Sequence, residues 1–183
     1  MEEREFIEKI KEKDENAFIY MVDLYKKRIL SLCYSYTYDY YEAEDLSQEV
    51  FIAVFNNINS FRGDSSFSTY LYKITISKCI DYKRKKSIKN FLNGLFNFSK
   101  ESYIDIDEKN FIQECICSLP QDLKTSLVLY YYIGLNQKEI AEVLNLSVKT
   151  IEGRIYRAKN RLKDMLEKEG YALWKIKEKS WKN

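Results

Sequence analysis

The sequence predicts an all-α protein, read as two small helical domains joined by a linker, and three observations predict its helical class. Only five Gly and one Pro punctuate the 183 residues, so few positions break a helix. Apolar residues recur at three- and four-residue steps along most of the chain, the spacing of helices that each bury one stripe. With 16 Tyr and 10 Phe there is ample apolar surface to bury, and the length suits one ordinary domain or two small ones. The expected division is 1–88 for the first domain, 89–110 for a linker, 111–168 for the second domain and 169–183 for a tail.

The net charge of +2 hides a segregated distribution. Glu42, Glu44, Asp45 and Glu49 crowd one stretch, while Lys73, Lys78, Lys83, Arg84, Lys85, Lys86 and Lys89 crowd another against Asp81. A charge run alone is usually a solvated face; a local basic patch attracts phosphate whatever the total charge is. The four cysteines come with no histidine and no CxxC pair, and Cys115 and Cys117 point to different sides of a helix. No zinc site, metal or cofactor is therefore expected, and the cysteines read as core fillers of a reduced protein. Residues 1–13 are charged and lack a signal-peptide core, and no apolar run reaches membrane-spanning length. A cytoplasmic protein without direct membrane insertion is the expectation.

Taken in order, residues 2–11 can form a short helix burying Phe6, Ile7 and Ile10. Asp14 is a candidate N-cap for a longer helix whose inward stripe is Ala17, Phe18, Met21, Leu24, Tyr25, Ile29 and Leu32. Asp39 followed by Glu42 resembles a capping box. It opens a helix to about residue 57 with Ala43, Leu46, Val50, Val54 and Ile58 inward and Asp45, Gln48, Glu49 and Ile52 mostly outward. Residues 59–66 read as a loop around Gly63, and Ser66 or Ser68 can cap a helix over 69–86. Leu71, Ile74, Cys79 and Ile80 are its expected core positions; Tyr70, Tyr72, Lys73, Ser77, Tyr82 and the terminal cations are surface candidates. Aromatics interleaved with cations suit single-stranded nucleic acid, because rings stack on unpaired bases while cations follow phosphates. The competing reading is half-buried tyrosines that simply pack.

Phe91, Leu92, Leu95, Phe96 and Phe98 form an apolar cluster in the linker, compatible both with a helix that docks on a partner and with one that folds back on a domain. Leu119-Pro120 begins a new helix, since Pro is tolerated in a first turn and disfavours helix in the residue before it. Gly134 closes that helix, and Asn136 with Glu139 opens the next over 137–144. Ser147 caps a further helix with Ile151, Ile155, Ala158 and Leu162 inward and Lys149, Thr150, Glu152, Arg154, Arg157, Lys159 and Arg161 mostly outward. This is a helix-turn-helix layout, whose second helix offers its N-terminal residues to major-groove base edges. The tail, with Trp174 and Trp181 among lysines, is open to several readings.

These stretches carry a family likeness: the chain resembles bacterial sigma factors of the extracytoplasmic-function group, the small two-domain members of the sigma-70 family. The likeness covers about 17–166 apart from the linker, with two separate motifs in the right order. Glu44-Asp45-Leu46-Ser47-Gln48-Glu49-Val50-Phe51 resembles the segment that grips a coiled coil of core RNA polymerase. The resemblance implies core-polymerase contacts from Asp45, Leu46, Gln48, Glu49, Phe51 and Ile52. Ser60 to Phe67 resembles the loop that pockets a flipped base of the minus-ten element, and the following helix the one that lies along it. The implied minus-ten residues are Ser60, Phe61, Arg62, Phe67, Tyr70, Lys73, Ser77, Lys78, Lys83 and Arg84. Residues 137–161 resemble the minus-thirty-five helix-turn-helix, with Lys138, Lys149, Thr150, Glu152, Arg154, Arg157 and Lys159 implied at duplex DNA. Tyr70 stands where the family commonly has Trp, Ser77 where it has Asn, Lys149 where it has Gly, and Gly153 at a usually polar position.

The resemblance implies a non-enzymatic specificity subunit, sequestered by an anti-sigma factor, with no small-molecule substrate. A stand-alone helix-turn-helix regulator explains 137–161 equally well but leaves the Asp45 motif and the basic helix without a role. A helical-bundle metalloenzyme using Glu44, Asp45 and Glu49 is rejected because such bundles take their metal with Glu-x-x-His pairs and the chain has no His.

Overall fold

The structure, a computed structural model, describes residues 3–94 and 108–168. Their regular structure is helical throughout: α1 (Glu3–Lys11), α2 (Glu15–Thr37), α3 (Tyr40–Asn57), a 3-10 turn (Ile58–Ser60), α4 (Phe67–Gly94), α5 (Glu108–Ser118), α6 (Gln121–Tyr131), α7 (Gln137–Leu144) and α8 (Val148–Lys168). The chain divides into two compact units. Helices α1 to α4 build the first and α5, α6 and α8 the second, and the division passes through α7 after Ile140. No helix among the described residues is long and apolar enough to cross a membrane.

In the first unit the helix starts follow from short polar side chains. Asp14 accepts the Ala17 amide at 2.8 Å and Asp39 accepts the Glu42 amide at 2.9 Å, each satisfying a donor that the first turn orphans. The expected box at Asp39 is half formed, because the Glu42 carboxylate turns away to Lys86 and Tyr82. Tyr38, at φ 58, ends α2 in the left-handed region and donates its amide to the Tyr34 carbonyl at 3.0 Å.

Helices α2, α3 and α4 pack on one another around Met21, Ile29, Leu32, Val50, Val54, Ile58, Leu71 and Cys79, all inaccessible to solvent. Phe67 is the aromatic hub, edge-on to Phe6 of α1, Tyr25 of α2 and Phe61 of the loop at centroid distances of 5.6, 5.9 and 6.1 Å. Cys33 and Cys79 are free thiols buried together, and their mutual hydrogen bond followed by burial pushes the Cys79 thiol up, so it stays protonated and unreactive.

Three sequence expectations change. Leu24 is 51% exposed and Ile80 54%, whereas Tyr72 is 1% exposed. Helix α4 is covered from two sides, so its buried set widens to Leu71, Tyr72, Thr75, Ile76 and Cys79, and Tyr72 joins the core. Helix α4 also starts at Phe67 and continues to Gly94, through the boundary expected at residue 88. The linker residues Leu95, Phe96 and Phe98 and the tail with Trp174 and Trp181 lie outside the described residues.

In the second unit, Pro120 caps α6 after α5 ends at Ser118. Leu119, Leu123, Leu127 and Ala158 form a core joined by Ile116, Tyr131, Leu162 and Met165. Gly134 takes φ 84, a conformation that glycine reaches without Cβ strain. The box at α7 is complete: Asn136 accepts the Glu139 amide at 3.0 Å and Glu139 accepts the Asn136 amide at 2.7 Å. Asn145, at φ 53, turns the chain, and Ser147 accepts the Thr150 amide at 3.1 Å to open α8.

Lys124 is buried within this unit at 2% exposure and donates to the Cys117 carbonyl at 2.6 Å. A cation at the C-terminal end of α5 suits the helix dipole. Burial nevertheless lowers the Lys124 pKa to about 8, because a low-dielectric surround disfavours the ammonium.

Candidate functional site

The outer row of α3 is what the spacing requires. Asp45, Gln48, Glu49 and Ile52 are all exposed, and on a helix these steps place them on one side. Leu46 and Phe51 are each 5% exposed; they belong to the packing beneath the row and not to its surface. Along one edge, Glu42, Asp45 and Glu49 face Lys78, Asp81, Tyr82 and Lys85 of α4 across a shallow groove. Lys78 pairs with Glu49 at 3.7 Å and Lys86 with Glu42 at 2.6 Å. Bonds from Lys86 and then Tyr82 hold the Glu42 carboxyl below its usual range, while burial and the bond to Glu42 push the Tyr82 phenol up.

The loop between α3 and α4 presents Ser60, Arg62, Gly63 and Asp64 as exposed residues, with Gly63 at φ 80. Phe61 is 8% exposed and Phe67 1%, so both rings support the loop from below and are not free to receive a base. Tyr70 is half-buried against them, its ring centroid 5.0 Å from that of Phe61. Its hydroxyl donates to the Asn57 carbonyl at 3.0 Å and meets Ser60 Oγ at 3.5 Å. Tyr70 thus pins the loop to the end of α3. Lys73, Ser77 and Arg84 are exposed along α4, and Lys78 and Lys83 are partly so. Arg84 pairs with Asp81 at 3.1 Å.

On α8, Lys149, Glu152, Tyr156 and Arg157 are exposed and Thr150 and Lys159 are intermediate. Lys138 of α7 is exposed. Thr150 Oγ1 lies 2.8 Å from Ser147 Oγ, which engages its hydroxyl in the helix start. Arg154 departs from the outward expectation: its side chain is 22% exposed and its Nε lies 3.6 Å from Asp122 Oδ2 at the start of α6. A Cβ added at Gly153 would meet Arg157 Nη1 at 3.4 Å, an ordinary van der Waals contact with the end of that side chain. Sequence reasoning missed Tyr156, 67% exposed beside Glu152 and Arg157; its position between two outward charged residues was the available signal. It also missed Asp122, which only the packing of α6 on α8 brings to Arg154.

The arrangement offers an acidic helix row suited to a basic protein surface, and a basic helix beside a pinned loop. Along the chain, α7, the turn at Asn145 and α8 follow one another as helix, turn and helix, with mixed polar, cationic and aromatic side chains outward on α8. Residues 21–88 match the family model of sigma-70 region 2, and residues 112–162 that of sigma-70 region 4. The chain is 36% identical over 176 residues to the ECF RNA polymerase sigma factor SigW of Bacillus subtilis, covering 87% of this chain and 94% of that protein. It is 28% identical over 191 residues to the RNA polymerase sigma-H factor of Pseudomonas aeruginosa, covering 91% and 94%. Its fold is similar to that of CnrH, solved in complex with the cytosolic domain of CnrY, at a TM-score of 0.70 and 23% identity over 90% of this chain and 97% of that one. The sigma factor RpoE of Bartonella quintana, solved with the anti-sigma factor NepR, is similar at a TM-score of 0.70 and 19% identity over 82% and 96%.

Proposed function

From a chain that belongs to the extracytoplasmic-function group of the sigma-70 family, we propose a protein that binds core RNA polymerase and directs it to specific promoters. The observation that carries this reading is the coexistence of the exposed Asp45, Gln48, Glu49 and Ile52 row with a helix-turn-helix in one chain. A stand-alone regulator needs only the second. The family is not an enzyme family, and this member acts by binding alone, in the cytoplasm where its template lies.

The division of labour follows the elements. Residues 1–88 carry polymerase binding and minus-ten recognition, 89–110 link the domains, 111–168 recognise the minus-thirty-five duplex and 169–183 form a tail. Asp45, Gln48, Glu49 and Ile52 touch polymerase, with Leu46 and Phe51 holding the helix beneath them rigid. Ser60 and Arg62 meet the extruded base of the minus-ten element while Phe61, Phe67 and Tyr70 shape the loop. Lys73, Ser77, Lys78, Lys83 and Arg84 follow the strand along α4. Binding energy then drives melting, because contacts to an extruded base offset its lost pairing and stacking. Lys138, Lys149, Thr150, Glu152, Arg157 and Lys159 face duplex DNA, joined by Tyr156. Two fold relatives were solved with CnrY and NepR bound, which supports an anti-sigma partner for this chain too.

Co-elution with core polymerase tests the reading. The full chain is expected to co-elute, and Asp45→Lys with Glu49→Lys is expected to abolish this while circular dichroism stays unchanged. A wild-type chain that binds duplex DNA specifically but never core polymerase would establish the stand-alone regulator instead.

A further inference from the structure

Resting on the promoter-recognition reading above, we propose that Asp122 is a specificity-determining positioning residue. It ties Arg154 back onto α6, and this tie sets how the outward residues of α8 meet the minus-thirty-five duplex.

Three observations lead here. Helix α8 buries Ile151, Ile155 and Ala158, and at 3.6 residues per turn Arg154 lies only about 60° around the axis from Ile151, on the inner flank. Lys149, Glu152 and Tyr156 are exposed and lie on the other side. The Arg154 side chain is correspondingly 22% exposed, and its nearest acid is Asp122 at 3.6 Å. Asp122 is in the first turn of α6, where unpaired amides favour a carboxylate. The pair lies beside the core formed by Leu119, Leu123, Leu127 and Ala158, which fixes α6 against α8. A carboxylate here also does a second job. It neutralises a cation that would otherwise seek the nearest phosphate and add affinity without sequence information.

The two roles separate by substitution. Removing the Asp122 charge frees the Arg154 guanidinium for a phosphate, so binding to any duplex strengthens, its salt slope steepens by about one and base discrimination falls. Removing Arg154 loosens the tie without releasing a cation, so discrimination falls and the slope does not steepen.

The experiment reconstitutes holoenzyme from core polymerase and the full chain. It measures binding across a salt series to a promoter duplex enriched by the wild-type holoenzyme from a randomised pool, and to the same duplex with a scrambled minus-thirty-five element. Asp122→Asn is expected to lower the ratio between the two duplexes about fivefold, the scale of one ion pair, with a steeper slope on the scrambled one. Arg154→Gln and the double variant are expected to match each other, and Asp122→Glu to retain the wild-type ratio. The proposal is overturned if Asp122→Asn leaves the ratio unchanged, or if Arg154→Gln flattens the slope by about one, since Arg154 would then be an ordinary phosphate contact. Absence of any enriched duplex with the wild-type holoenzyme would refute the promoter reading itself.

Discussion

Lys86 Nζ lies 2.6 Å from the Glu42 carboxylate, and that contact ties the basic end of α4 to the first turn of α3. Tyr82 donates to the same carboxylate. The carboxyl of Glu42 is lowered by these bonds, so its stabilising contribution is fully present above its unfolded pKa. It is lost as pH falls through the lower folded value. Glu42→Gln is expected to cost less than about 1 kcal/mol near neutral pH, as exposed pairs do. It should also flatten the acid limb of stability, read from urea unfolding at several pH values.

Lys124 gives the opposite limb. Its pKa is lowered to about 8 from an ordinary 10.5, so between those values the unfolded chain binds more protons than the folded one. Stability therefore rises with pH across that window. Lys124→Met is expected to remove this rise, measured as the difference between variant and wild-type unfolding curves from pH 7 to 10.5. An unchanged difference across the series would contradict it.

The Tyr70 hydroxyl bond to the Asn57 carbonyl predicts a defect confined to promoter opening. Tyr70→Phe keeps the ring packing on Phe61 and Phe67 and removes one hydrogen bond of about 1 kcal/mol. Permanganate footprinting should show about fivefold less open complex, with binding to core polymerase unchanged.

Gly153 predicts a gain in stability that leaves recognition intact. Replacing it with Ala favours the helix by up to about 1 kcal/mol, and the new Cβ meets only the end of the Arg157 side chain, at 3.4 Å. Thermal unfolding of Gly153→Ala should shift upward, while minus-thirty-five affinity stays within about twofold of wild type, because that distance is an ordinary van der Waals contact and Arg157 keeps its place.

Much of the fold was legible because it rests on local chemistry. The caps at Asp14, Asp39, Asn136 and Ser147 form where a short acceptor precedes a periodic apolar run. The outward row of Asp45, Gln48, Glu49 and Ile52 follows from helical period alone. What periodicity does not report is how many neighbours a helix has. Ile80 and Leu24 stand at helical spacing and are exposed, while Tyr72 is buried because α4 is covered on two flanks. Long-range pairing is likewise invisible to local pattern. Arg154 reads as one more outward cation until Asp122 is found beside it, and Glu42 reads as a capping-box acid until Lys86 claims its carboxylate. The aromatic residues of the loop divide in the same way: Phe61 and Phe67 match a DNA-contact pattern yet are core.

The most direct test of the central claim is transcription in vitro from a library of promoter fragments by purified core polymerase, with and without this protein. Initiation at defined start sites only when the protein is present is the predicted result, and the selected fragments should share two elements spaced for the two units. No initiation, together with no co-elution from core polymerase, would contradict the account.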